Sequence, residues 1–107
     1  MLDKGEAVAE TALPTAVEQG LTTLVDAGYG NWSVRQALML LLLGGGKCNE
    51  VRRLAPRLKT AKSLITRSAD IFEAESLAER RETQDRRVPA LVLTTRGRRI
   101  VRMMEGR

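Results

Sequence analysis

Between Asn49 and Arg102 the hydrophobic pattern of this chain changes period in a fixed order, and that order limits the folds open to it. Val51, Leu54, Ala55 and Leu58 recur at i, i+3, i+4 and i+7, which is one stripe of a helix starting at an Asn49 N-cap. Pro56 lies inside that stripe and is expected to kink or shorten the helix. A Leu58-Lys59-Thr60 turn follows. A second stripe, Leu64, Ile65, Ala69 and Phe72, then predicts a helix over 61–74 capped by Thr60, with Leu77 closing beyond its end. Leu77–Arg81 and Val88–Leu93 read as strands around the charged loop Glu82–Arg87. Pro89 cannot donate to a ladder and suits an edge strand. Thr94 or Thr95 can cap a last helix, Thr95 to Glu105, carrying Ile100, Val101, Met103 and Met104.

Two further helices are expected upstream. Val17, Leu21, Leu24 and Val25 share one stripe from about Thr15 to Ala27, and Thr15 and Glu18 have capping-box spacing. Ser33 and Gln36 repeat that spacing before a helix ending near Leu43. Its apolar residues, Val34, Ala37, Leu38 and Leu40 to Leu43, cover nearly the whole circumference, as in a central buried helix. Gly44-Gly45-Gly46 stops it. No strand precedes these glycines and no Lys-Ser/Thr follows, so they read as a helix terminator and not a phosphate cradle.

The 107 residues make one domain's worth of chain, 1–107, with residues 1–14 expected to lie outside the ordered part. The sequence predicts a mainly α (α+β) fold: helix-turn-helix over 49–75, a two-stranded β-wing over 77–93 and a C-terminal helix over 94–105. This is a winged helix-turn-helix.

Charge follows the same division. Residues 1–46 carry two basic against five acidic side chains (−3), and residues 47–107 carry sixteen against eight (+8). A basic half that coincides with the helix-turn-helix and hairpin points to a polyanion partner. The sequence has no His and a single cysteine, Cys48, which excludes a zinc-ligand set and an intrachain disulfide. A reduced, cytoplasmic setting is expected. Cys48 reads as an incidental thiol. The apolar run 37–43 is too short to span a bilayer, and no signal peptide is evident. No catalytic constellation is recognisable, so neither an enzyme nor a cofactor is expected. Lys62 and Ser63, for instance, are adjacent on a helix and point about 100° apart.

On the helix over 61–74, Lys62, Ser63, Thr66 and Arg67 are left facing outward near its start. Lys62 and Arg67 can reach phosphates or a guanine edge, Ser63 and Thr66 can bond phosphates or bases, and Ala61 can touch a thymine methyl. Helix-leading amides near Thr60 add a phosphate site. Arg86 and Arg87 at the hairpin tip can enter a narrow minor groove, with Asp85 pairing a neighbouring Arg to fix the loop. These residues make double-stranded DNA the expected partner.

Residues 31–102 resemble the MarR (multiple antibiotic resistance regulator) family of winged-helix transcription factors. The carriers are Leu54-Ala55-x-x-Leu58, Lys62-Ser63 with Ile65-Thr66-Arg67, Asp70 with Phe72-Glu73, Leu77-Ala78-Glu79-Arg80, and Asp85-Arg86-Arg87 before Leu93-Thr94-x-x-Gly97. The resemblance implies a sequence-specific bacterial transcriptional regulator, a repressor. It places 62–67 in the major groove and Arg86 or Arg87 in the minor groove. It also implies dimerisation through terminal helices. Here helices 15–27 and 95–105 are the candidates for a homodimer, their apolar residues reading equally as dimer interface or as ordinary core, and the last dimerisation helix of the family is not expected in this short form. Ser76 stands where the family usually has Gly. The alternative is a winged-helix protein-interaction module or regulatory subunit that does not bind DNA, which acidic residues Asp70, Glu73, Glu75 and Glu79 on the same half would serve.

Overall fold

The computed structural model describes residues 4–46, 50–82 and 90–106. Its elements follow the order α1 (Lys4–Asp26), α2 (Val34–Gly44), α3 (Val51–Arg57), α4 (Lys62–Ala74), β1 (Ala78–Arg81), β2 (Ala90–Leu93) and α5 (Thr95–Met104). β1 and β2 pair antiparallel, with Ala78 opposite Leu93 and Arg81 opposite Ala90. The chain forms two compact units, Trp32–Val101 and Met1–Asn31 with Arg102–Arg107.

The unit Trp32–Val101 holds the helix-turn-helix, the hairpin and most of α5. Met39, Leu40, Leu54, Ile65, Ala69, Phe72, Leu77 and Leu91 are almost fully buried. The Phe72 ring meets Trp32 at a centroid distance of 5.1 Å, tilted by 44°, a favourable aromatic geometry. α2 begins as its sequence predicts. The Ser33 hydroxyl accepts from the Gln36 amide, and the Gln36 side chain accepts from the Ser33 amide at 2.9 Å. Its burial is narrower than expected: Met39, Leu40 and Leu43 are buried while Val34 is 83% exposed. An apolar circumference therefore does not make this helix central. Residues at its start lie beyond the core.

α3 is short. Its N-cap is Glu50, and it ends at Arg57, one residue after Pro56. Beyond it Lys59 takes φ 53°, a left-handed conformation that turns the chain sharply into α4. α4 starts at Lys62 with Ala61 as N-cap and no side-chain cap, so Thr60 does not cap it. The turn takes one residue more than the spacing implied. Leu64, expected inside, is 44% exposed. It lines a groove of about 240 Å³ with Ser33, Arg35, Thr60, Arg67 and Ser68.

The α4-to-β1 corner is tight. Ser76 takes φ 58° where the resemblance leads one to expect glycine. Thr94 then joins this corner to α5. Its hydroxyl donates to the Ser76 carbonyl at 2.6 Å and accepts from the Gly97 amide at 3.0 Å, which caps α5. Ile100 and Val101 are buried within this unit.

In the other unit, α1 starts at Lys4 and not at Thr15, so Thr15 and Glu18 lie inside a helix and form no capping box. The preceding stretch is rich in Ala and Glu, which favour helix without leaving an apolar stripe. Gly20 sits close to the last turn of α5, where a Cβ would stand 3.1 Å from the Met104 carbonyl oxygen. Thr23, Leu24, Tyr29 and Met104 are buried. Val17, Leu21 and Val25, expected to share a stripe with Leu24, are 61%, 57% and 63% exposed, and Met103 is also exposed.

Candidate nucleic-acid interface

The α3–α4 turn is held from outside by α2. Arg35 Nε donates to the Leu58 carbonyl at 2.9 Å and Nη2 to the Lys59 carbonyl at 3.3 Å. These are carbonyls left over at the end of α3, and a guanidinium is a suitable donor for them. Arg35 therefore fixes where α4 begins. Sequence reasoning missed it, because nothing local links position 35 to a turn 23 residues away.

α4 presents two faces. Ile65, Ser68, Ala69 and Phe72 are buried, and Ala61, Lys62, Ser63, Thr66, Arg67 and Asp70 are exposed. Four of the side chains singled out in the sequence, Lys62, Ser63, Thr66 and Arg67, thus lie together on the leading, solvent-facing part of one helix. Ser63, Arg67 and Asp70 follow i, i+4, i+7 along the middle of that face. Thr60 is partly exposed at the foot of the helix. Ala61 leaves the first amides of α4 without a side-chain acceptor, the arrangement that favours an anion. The Thr66 hydroxyl donates back to the Lys62 carbonyl at 3.2 Å, so it meets a ligand as an acceptor.

The two acidic residues of α4 do not stand alone. Arg80 on β1 reaches across to both. Its Nη2 lies 2.6 Å from Asp70 Oδ1, its Nη1 pairs with Glu73, and Nη2 also donates to the Thr66 carbonyl at 3.1 Å. The Arg80 amide donates to Glu73 Oε2 at 3.4 Å. In the sequence Arg80 stands only within a motif that carries the family resemblance, with no role of its own. It lies two residues from buried Ala78, on the same face of β1, and is half-buried there, which gives no hint of its partners on α4.

β1 (Ala78–Arg81) and β2 (Ala90–Leu93) fall within the strands expected over Leu77–Arg81 and Val88–Leu93, while Asp85, Arg86, Arg87, Val88 and Pro89 lie outside the described residues, as do Cys48 and Asn49. Among the described residues no cluster of His, Cys, Asp and Glu is arranged to hold a metal ion. Among them, too, no helix is long and apolar enough to cross a membrane.

This architecture recurs in solved structures. The transcriptional regulator Tm0710 from Thermotoga maritima aligns with a TM-score of 0.78 at 23% identity, over 95% of this chain and 70% of that one. FabT from Streptococcus pneumoniae, solved in complex with DNA, gives 0.67 at 22% identity over 90% and 68%. A MarR-family transcriptional regulator from Rhodococcus sp. RHA1 gives 0.65 at 19% identity over 99% and 76%. No protein-family model and no curated protein sequence matches the chain.

Proposed function

We propose that this chain, which has the winged helix-turn-helix fold of the MarR-family regulators, is a sequence-specific double-stranded DNA-binding repressor of transcription. The observation that carries the reading is the exposed face of α4, with Lys62, Ser63, Thr66 and Arg67 side by side on a helix whose other face is buried. Such a helix can enter a major groove without disturbing the core. In this reading Lys62 contacts phosphate and Arg67 a guanine edge, Ser63 and Thr66 bond bases or phosphates, and Ala61 lies against a thymine methyl. The uncapped first amides of α4, beside Thr60, take a phosphate. Arg86 and Arg87 carry the minor-groove contact and Asp85 orients them. That FabT was solved with DNA supports the reading.

A homodimer fits the exposed stripe Val17, Leu21 and Val25 on α1, which water would otherwise cover. Two recognition helices would then read half-sites about 34–36 Å apart. The setting is the bacterial cytoplasm, with the protein on the nucleoid when bound.

The test is selection of bound duplexes from a random pool, followed by titration of the winner at several salt concentrations. Enrichment of a palindrome, with log K falling by about 0.9 per phosphate contact for each unit of log salt, is the expected result. A flat salt dependence and no enriched sequence would reject DNA binding and leave the protein-interaction module.

A further inference from the structure

α4 carries two cationic side chains, Lys62 and Arg67, and two anionic ones, Asp70 and Glu73, so by itself it has no net charge to bring to a polyanion. Asp70 is the more serious obstacle. Its side chain is 65% exposed, and it continues the line of Ser63 and Arg67 along the outward face. Arg80 meets both carboxylates at once and also holds the Thr66 carbonyl. Ion pairs this exposed contribute little to fold stability, because water and salt screen them in the folded and unfolded states alike. Against an approaching row of phosphates the same charges are decisive, since like charges meet across an interface that expels water.

We propose that Arg80 is a positioning residue for DNA binding. It neutralises Asp70 and Glu73 on the recognition helix, which lets the cationic end of α4 approach the duplex. The inference rests on the DNA-binding reading given above. It assigns to a β1 residue a role in affinity that comes through α4 and not through a phosphate contact of its own.

The experiment uses the full chain and a duplex selected by the parent protein, with far-UV circular dichroism confirming the fold of each variant. Arg80→Gln is expected to weaken binding about tenfold, the scale of two screened like-charge repulsions. Adding Asp70→Asn and Glu73→Gln to that variant is expected to restore affinity to within about threefold of the parent, because the charges Arg80 covered are gone. A tether that only shapes the helix, or a direct phosphate contact, would leave the triple variant as weak as the single one, and that result overturns the proposal. So does an Arg80→Gln variant that binds like the parent. If Arg80→Gln does not fold, Asp70→Asn with Glu73→Gln in the native Arg80 background decides. Equal or tighter binding with a steeper salt dependence supports the charge role, and binding about tenfold weaker overturns it. A parent chain without salt-dependent DNA binding removes the DNA reading and this inference together, whereas failure of the rescue with a binding parent removes only this inference.

Discussion

Gly97 lies directly against the carbonyl of Leu77: a Cβ at position 97 would stand 2.0 Å from that oxygen and 3.0 Å from its carbon. The Leu77 carbonyl also accepts the Thr94 amide at 3.0 Å, and the Thr94 hydroxyl accepts the Gly97 amide. The corner that carries the chain out of α4 and the first turn of α5 are therefore one interlocked unit, and the space between them is fixed by backbone on one side.

Gly97→Ala is accordingly expected to destabilise the fold by about 3 kcal/mol, the upper part of the overpacking range, because backbone cannot swing aside as a side chain would. Urea unfolding of parent and variant gives the difference. A midpoint within experimental error of the parent would show that α5 can slide away from Leu77 at no cost.

Ser76 poses the opposite case. With φ at 58° it occupies a conformation that costs an L-residue about 1–2 kcal/mol, while glycine would add about 0.5–1 kcal/mol of unfolded-state entropy. Ser76→Gly is expected to stabilise the protein by the difference, about 0.5–1 kcal/mol. Thermal unfolding followed by circular dichroism measures it, and a lower melting temperature would refute the strain argument.

The helix-turn-helix was legible because each helix leaves a complete apolar stripe and the turn between them has no room for another element. Hairpin strands were legible from the change of period at Leu77. Periodicity shows that a face is apolar but not what covers it, so Val17, Leu21 and Val25 read like Leu24 although only Leu24 is buried. It gives no start for a helix such as the Ala- and Glu-rich beginning of α1, where propensity alone acts. The capping error at Thr60 has a single cause. Lys59 turns left-handed, which moves the first helical residue on to Lys62. Arg35 and Arg80 were out of reach because each acts on a helix end or face distant in sequence.

The exposed stripe on α1 gives a prediction about assembly. Burying a side chain of this size contributes about 1.5 kcal/mol or more, and a two-fold interface buries two copies, so Leu21→Asp should raise a dimer's dissociation constant at least about a hundredfold. Sedimentation velocity across a concentration series checks this. Since Leu21 is 57% exposed in the single chain, the unfolding free energy extrapolated to the monomer should change little. A parent that sediments as a monomer at every concentration would remove the dimer from the proposal.

Lys62 and Arg67 share the exposed face of α4 but should fail differently. Lys62 stands at the first helical position, where in the proposed complex a flexible ammonium would meet phosphate as a point charge. Lys62→Ala should weaken all duplexes alike and lower the salt slope by about 1. Arg67 lies one turn further along, beneath Ser63, where a planar guanidinium can take the two acceptors of a guanine. Arg67→Ala should cost about 1–3 kcal/mol on the selected duplex and relax the preference at one position of the motif. Repeating the random-pool selection with each variant separates the two outcomes. If the Arg67→Ala motif keeps every position of the parent motif, Arg67 is a backbone contact, and base reading must come from Ser63, Thr66 or Ala61 instead.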